Sequence, residues 1–284
     1  MSQTSPHYSR GVSDQDVLDW RQTRRPGLLI RWGIFLAALV FLTYAMDFLK
    51  VDMARILGLF GRVGALIADR YYPPEMSYVL QKDYLASVLE TVQMAYLGGL
   101  FGIILAIPLA WFASYNMTLG RRSFYPLSRL TIMGCRSVHE MIWTILFVTV
   151  VGFGMLSGVL ALTMFCIGFA GKLFAEEIEA IDMGPVDALR ATGANELQVM
   201  VYAVWPQVRV AFTGISIYTW DVAFRAATVV GFFGGGGMGW YLKRSVQQIE
   251  SQRVAAILLS IIALVVVAEL LSAWARLRVN KKSQ

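Results

Sequence analysis

Two pairs of opposite charges stand inside long apolar stretches of this chain, where charged side chains are costly. Arg136 precedes Glu140 by four residues, and Asp221 precedes Arg225 by the same spacing. Residues four apart share one face of a helix, so each pair can neutralise itself. Charges at membrane depth face a partner helix or a wet cavity, so the pairs either line the path of an anionic solute or hold an interface together. His139 belongs to the same candidate path, as a hydrogen-bonded residue between helices or as a pH sensor.

A polar segment between two apolar runs is the second place where chemistry could occur. It runs from Asp187 to Gly193, is rich in helix formers, and has Pro185 where a first helical turn would lie. We expect a short helix that exposes Asp187 and Arg190 and packs through three apolar residues: Ala188, Leu189 and Ala191. Such a segment belongs outside the bilayer, because lipid cannot satisfy bare backbone amides. Pro206 is expected to stop the following segment and to set the angle of the next span.

The sequence contains none of the motifs that would make this chain an enzyme by itself. The phosphate-binding pattern G-x-x-x-x-G-K-[ST] is absent, as are G-x-S-x-G and H-E-x-x-H. Cys135 and Cys166 have apolar neighbours, and the two histidines are far apart, so packing cysteines are favoured over a disulfide or a metal site. We therefore expect no catalytic residue, no metal and no cofactor in this chain.

The composition indicates an integral membrane protein. Of the 284 residues 57% are hydrophobic and only 15% are charged, whereas a soluble domain has about 25% charged residues. The net charge of +6 does not indicate nucleic acid, because the charges flank apolar runs and form no basic face with interleaved aromatic residues.

Apolar runs of about 20 residues predict an all-α, polytopic fold with about six transmembrane helices. The predicted spans are 28–49, 85–111, 130–152, 157–175, 208–232 and 253–274, with a glycine-rich turn between the third and the fourth. Residues 51–70 are expected to form an amphipathic helix on the outer surface. With six spans, 15 of the 25 basic residues fall on the side of the termini. This excess predicts a multi-pass membrane protein with both termini in the cytoplasm.

The segment from Asp187 to Pro206 resembles the EAA loop of ABC-importer permeases. The family pattern is E-A-A, three residues, Gly, nine residues and Ile-x-Leu-Pro; Gly193 and Pro206 stand at its spacing, whereas Asp187 replaces the Glu and Leu189 the second Ala. The resemblance implies that a separate ATPase docks on this loop. The implied coupling residues are Asp187, Ala188, Leu189, Arg190, Gly193 and Pro206.

Three further segments are similar to phosphonate and phosphite ABC-importer permeases. Ala227 to Gly239 resembles their ATVVG…GAGGIG segment, Arg136 to Met141 their R-x-x-x-E-M element, and Glu179 to Asn195 their EAIEPGPVE and GIRATGAN runs. The resemblance implies the type I ABC-importer permease fold, a location in the bacterial inner membrane, alternating access and a small phosphorus oxyanion as cargo. It also implies the partners: membrane lipid, a second copy of the chain, a cytoplasmic ATPase dimer that binds ATP and Mg²⁺, and a periplasmic or extracellular substrate-binding protein.

The predicted organisation has four parts: a cytoplasmic tail (1–27), a first span with an amphipathic outer segment (28–84), a permease core (85–275) with the EAA-like loop (176–206), and a second cytoplasmic tail (276–284). Other function classes stay open. An ABC permease for another small solute would share this pattern. A secondary transporter would work alone and usually carries internal repeats, none of which is visible. A membrane enzyme would need clustered catalytic groups, whereas the charges here are scattered.

Overall fold

The computed structural model describes residues 27–49, 58–117 and 124–282, and every regular element in these ranges is a helix. The chain divides into one unit that ends at Ala65 and another that begins at Leu66. The first unit contains α1 (Leu28–Phe48) and nearly all of α2 (Leu59–Leu66). The large apolar side chains of α1 are exposed, as expected of a helix that lipid surrounds. Of the predicted amphipathic helix 51–70, residues 51–57 lie outside the described residues, while α2 and a π-helical turn, Ile67–Tyr71, follow.

The second unit is built from ten helices within the described residues. They are α3 (Met76–Val79), α4 (Lys82–Ala113), α5 (Phe124–Ser137), α6 (Glu140–Val151), α7 (Met155–Glu179), α8 (Gly184–Ala191), α9 (Glu196–Val199), α10 (Trp205–Val230), α11 (Gly237–Gln247) and α12 (Ser251–Lys282). A π-helical turn, Met200–Val204, joins α9 to α10. A second one, Gly231–Gly235, follows α10 and is broken by the non-helical Gly234.

Four helices of the described chain are long and apolar enough to cross a membrane: Ile30–Phe48, Lys82–Ala113, Met155–Glu179 and Ser251–Arg278. They coincide with the predicted first, second, fourth and sixth spans. Helix α10 covers most of the fifth, but its 26 residues include Arg209, Asp221 and Arg225, and it is not among these four apolar helices. The membrane-spanning, all-helical architecture is therefore confirmed.

The predicted third span, 130–152, is wrong as a single helix. Helices α5 and α6 meet there at an angle of 93°, and only together would they count as a fifth crossing. The helix stops because His139 adopts an extended backbone conformation (ψ 147°) and caps α6, its Nδ1 accepting a hydrogen bond from the amide of Met141 at 3.4 Å. The predicted glycine turn that ends α6 is confirmed, with positive φ angles at Gly152 and Gly154.

Small residues let α4 and α7 approach closely. Gly98 and Gly102 are buried on α4, and a Cβ on Gly98 would lie 2.5 Å from the Cβ of Leu162 on α7. Helix α5 crosses α7 in the same way, since a Cβ on Gly168 would lie 2.7 Å from the backbone nitrogen of Arg136. Close backbone approach through small residues is the usual means of packing helices in lipid, where no hydrophobic driving force exists between them.

Candidate coupling loop and translocation path

The EAA-like loop folds into the short helix that its sequence predicts. The carboxylate of Asp182 accepts a hydrogen bond from the amide of Gly184 at 3.0 Å, and Pro185 occupies the first turn of α8. After Ala191 the chain reverses at Gly193, whose φ is +84° and whose amide donates to the carbonyl of Arg190 at 3.0 Å. The left-handed conformation expected at the end of the helix is therefore present.

The two faces of α8 differ from those predicted. Val186 is completely buried and Leu189 packs beside it, as an apolar residue should. Arg190, predicted to be exposed, lies mostly buried and its guanidinium pairs with Glu196 on α9 at 3.2 Å. The reason is the tight turn at Gly193, which folds α9 back against α8. The exposed face is formed instead by Asp187 and two residues predicted to pack, Ala188 and Ala191.

Beneath α8 lies one hydrophobic cluster that is built from side chains of α4, α5, α7, α9, the π-helical turn Met200–Val204 and α10. The rings of Phe174 on α7 and Phe212 on α10 stack at 4.2 Å between centroids. The other buried members include Ala106 and Ala110 from α4, Ile178 from α7, Val199 from α9 and Val204 from the π-helical turn. Val186 therefore packs α8 into one dense cluster with side chains of α4, α7 and α10.

Hydrogen bonds at the base of the loop fix where it starts and ends. The side-chain amide of Gln207 accepts from the amide of Asp182 at 3.0 Å and donates back to the Asp182 carbonyl at 3.2 Å. The carboxylate of Glu179 accepts from the backbone amide of Tyr115 and pairs with Arg129. Pro206 lies in the first turn of α10, but it does not stop the segment that follows α8 as predicted, because α9, the π-helical turn and α10 form one uninterrupted helical stretch.

The intramembrane pair on α10 forms as predicted. A guanidinium nitrogen of Arg225 lies 2.9 Å from a carboxylate oxygen of Asp221. The Asp221 side chain is only 6% exposed, whereas that of Arg225 is 43% exposed. The pair therefore presents a cation, and not a carboxylate, to whatever lies beside this face of α10.

The other predicted pair does not form. Arg136 lies in the last turn of α5 and Glu140 begins α6, so the bend separates two residues that were expected to share one helical face. Glu140 instead has an oxygen 3.2 Å from Nδ1 of His139. Within the described residues no hydrogen bond or ion pair engages the exposed guanidinium of Arg136. None links Arg136, His139 or Glu140 to the Asp221–Arg225 pair either.

Arg136 has cationic neighbours that the sequence analysis did not single out. Arg129, Arg136 and Lys172 line one cavity of about 330 Å³, together with Ile132, Met133 and Ala175. Arg129 and Arg136 are seven residues apart on α5 and thus share a face, which is a signal the sequence does carry. Lys172 comes from α7, and only the crossing of the two helices brings it to them.

The glycine run, residues 231–239, packs tightly against α4. A carboxylate oxygen of Glu90 accepts from the amide of Gly237 at 3.1 Å, and the Thr91 hydroxyl accepts from the amide of Met238 at 2.9 Å. These contacts satisfy the first amides of α11. A Cβ on Gly239 would overlap the backbone nitrogen of Phe232 and the carbonyl oxygen of Thr228, so the run is a close-packed turn.

Comparisons with known proteins agree with this architecture. The family model for the binding-protein-dependent transport system inner membrane component matches residues 97–281. The phosphite transport system permease protein PtxC of Stutzerimonas stutzeri is 39% identical over 208 residues, which are 73% of this chain and 74% of that protein. The phosphate-import permease protein PhnE of Mycolicibacterium smegmatis is 34% identical over 235 residues, which are 82% of this chain but 43% of that longer protein.

A structure of the MetNI methionine ABC transporter contains a chain with the same fold. The two superpose with a TM-score of 0.58 over 69% of this chain and 95% of that one, at 19% identity. The family match extends over most of the second unit, from the middle of α4 to α12. This chain is a permease subunit of an ABC importer and belongs to the family of binding-protein-dependent transport system inner membrane components.

Proposed function

We propose that this permease imports a small phosphorus oxyanion, driven by a separate ATPase that docks on the exposed face of α8. The observation that carries the proposal is the construction of the EAA-like loop. One face of α8 is fixed in the hydrophobic cluster by Val186, while Asp187, Ala188 and Ala191 remain open to a partner. A helix held on one side and exposed on the other can receive force from a partner and transmit it.

The route of that force follows from the packing. Val186 shares its cluster with residues of α4, α7 and α10, and Gln207 ties the start of the loop to the first turn of α10. Interiors this dense do not absorb a displacement locally. A shift of α8 on ATP binding therefore moves the long helices together, and alternating access is the cycle in which they open first to one side and then to the other.

The Asp221–Arg225 pair supports a polar path along α10. A half-exposed guanidinium is costly against lipid, so water or another protein chain must cover it. A second copy of the permease packed on this face would enclose the pair in a shared path between the two subunits. Arg225 would then attract an anion, while Asp221 holds the guanidinium in place.

The cargo assignment is supported by the relatives. The protein of Stutzerimonas stutzeri is named for phosphite and that of Mycolicibacterium smegmatis for phosphate import, and both are oxyanions of phosphorus. The guanidinium of Arg225 and the three cationic side chains of the basic cavity, which is lined by Arg129, Arg136 and Lys172, suit an anionic cargo. Selectivity among phosphite, phosphonate and phosphate belongs largely to the substrate-binding protein outside the membrane.

The function is tested with the permease, its ATPase and its binding protein reconstituted in liposomes. We expect ATP-dependent uptake of phosphite, methylphosphonate or phosphate and no uptake without the ATPase. Uptake of methionine alone would show an ABC permease for another solute. Uptake driven by an ion gradient without ATP would show a secondary transporter and contradict the proposal.

The role of Arg225 has its own test. If this guanidinium attracts the anion, Arg225→Ala lowers uptake roughly tenfold or more, and the double variant Asp221→Ala/Arg225→Ala does not recover. The double variant is the control, because it removes the buried carboxylate that the single change leaves unpaired. Recovery of uptake in the double variant would show that Arg225 serves only to neutralise Asp221.

A further inference from the structure

The basic cavity between α5 and α7 has an excess of positive charge. Arg129 pairs with Glu179 and also donates from Nε to the carbonyl of Ala113 at 2.7 Å. The ammonium of Lys172 lies 3.3 Å from a carboxylate oxygen of Glu176, one turn along α7. Arg136 has no such partner among the described residues, so two carboxylates stand beside three cations.

The ion pairs leave donors free for a further anion. An ammonium has three N–H donors and a guanidinium has five, and one carboxylate oxygen occupies only part of either set. The side chains of Lys172 and Arg129 remain 41% and 29% exposed respectively. At about 330 Å³ the cavity has room for a small tetrahedral anion with some of its water.

The cavity also lies at a defined depth relative to Arg225. Phe169 on α7 contacts Tyr218 on α10, with ring centroids 5.5 Å apart, so these two residues mark one level of the bundle. At about 1.5 Å per residue, Lys172 lies roughly 4.5 Å from that level toward the EAA-like loop. Arg225 lies roughly 10 Å from it in the opposite direction, because α7 and α10 run antiparallel. The molecule therefore has two cationic levels, and the cavity is the one nearer the loop.

We propose that Arg129, Arg136 and Lys172 form a binding site for a tetrahedral phosphorus oxyanion. Charge-assisted hydrogen bonds from guanidinium and ammonium groups to phosphoryl oxygens are strong and specific for this geometry. Two sources could supply the group: the transported solute on its way to the ATPase side, or the phosphate of an anionic lipid headgroup. In the first case the inference rests on the proposed function; in the second it is independent of it.

The test measures binding by the assembled permease–ATPase complex in nanodiscs. The probes are ³²P-labelled inorganic phosphate for the solute and phosphatidylglycerol, counted by native mass spectrometry, for the lipid. The test variant is Arg136→Gln, which leaves both ion pairs intact, and Arg136→Lys retains the charge. The matched control is Arg209→Gln, which removes one exposed positive charge on α10 outside the cavity.

Arg136→Gln is expected to weaken binding of one probe roughly tenfold, Arg136→Lys less, and Arg209→Gln by no more than about twofold. Weaker phosphate binding identifies the solute as the source, and loss of one phosphatidylglycerol per permease identifies the lipid. Unchanged binding of both probes in Arg136→Gln overturns the site. If the wild-type complex transports no phosphorus oxyanion but Arg136→Gln loses a bound lipid, the proposed function is wrong and the binding site stands. If the wild-type complex transports normally but Arg136→Gln binds both probes as the wild type does, the proposed function stands and the binding site is wrong.

Discussion

The EAA-like loop, which precedes α10, and the glycine run, which follows it, both contain glycines with positive φ angles, but for different reasons. In the loop, Gly193 has φ +84°, and a Cβ added there would meet no atom within 4 Å. In the glycine run, Gly236 and Gly237 have φ +90° and +66°, and added Cβ atoms would collide with Glu90 and Thr91. The loop therefore constrains only the torsion angles of its turn, whereas the glycine run constrains both torsion and space. The glycine run is therefore a close-packed junction between α4, α10 and α11, whereas the turn at Gly193 stands clear of neighbouring atoms.

Of the substitutions that distinguish the glycine run from the EAA-like loop, one in the glycine run is expected to reduce stability most. Gly237→Val forces a side chain into Thr91 at a left-handed position, which costs about 3 kcal/mol or more from overpacking and strain together. We expect a large loss of thermal stability in detergent, with Gly237→Ala intermediate. Gly134→Val on α5, where nothing lies within 4 Å of the added Cβ, is the matched control. A Gly237→Val protein as stable as Gly134→Val would contradict the close packing.

A smaller effect is expected from the carboxylate that caps α11. Glu90→Ala removes the acceptor for the amide of Gly237 and costs about 1 kcal/mol. Glu90→Gln retains an acceptor oxygen and loses less, because only the interaction of the charge with the helix dipole disappears. The melting temperatures of wild type, Glu90→Gln and Glu90→Ala are expected to decrease in that order. Equal stability of Glu90→Ala and wild type would show that water replaces the cap.

The smallest effect on stability is expected at Gly193. Asn adopts positive φ angles more readily than other non-glycine residues, whereas a β-branched residue there is a conformational outlier. Gly193→Asn should therefore be nearly neutral, and Gly193→Val should cost about 1 kcal/mol and disturb the joint between α8 and α9. We expect the protein to stay folded in both cases and the uptake per ATP hydrolysed to fall only in Gly193→Val. Equal coupling in the two variants would show that the torsion of this turn does not matter.

The orientation of the chain in the membrane is a further prediction. The excess of basic residues on the side of the termini predicts that the EAA-like loop and both termini lie in the cytoplasm. Reporter fusions after Gly27 and after Trp274 should both report a cytoplasmic location. Opposite locations would exclude an even number of crossings.

Local signals made much of this architecture predictable from the sequence. Pro185 and Gly193 define the ends of α8 because each acts through its own backbone, and Gly152 and Gly154 end α6 for the same reason. The long apolar runs predict where α1, α4, α7 and α12 lie. The spacing of Asp221 and Arg225 predicts their ion pair because α10 is continuous there.

Features that depend on tertiary contacts were not predictable in this way. The apolar pattern continues across His139, so nothing in its periodicity signals the 93° bend that separates Arg136 from Glu140. Arg190 is buried because the turn at Gly193 brings Glu196 to it. The basic cavity exists because α5 crosses α7 at Gly168, which gathers charges from two helices.

The central claim is that the exposed face of α8 transmits ATP hydrolysis to the bundle, and Asp187 tests it most directly. Asp187→Lys reverses an exposed charge in the first turn of α8 without disturbing the buried Val186. Glu177→Lys makes the same change at the start of the EAA-like loop but on α7, outside the exposed face of α8. The measurement is uptake and substrate-stimulated ATP hydrolysis by the complex of permease, ATPase and binding protein in liposomes. We predict that Asp187→Lys yields membrane-inserted protein whose uptake falls roughly tenfold or more while Glu177→Lys stays coupled; full coupling in Asp187→Lys would contradict the account.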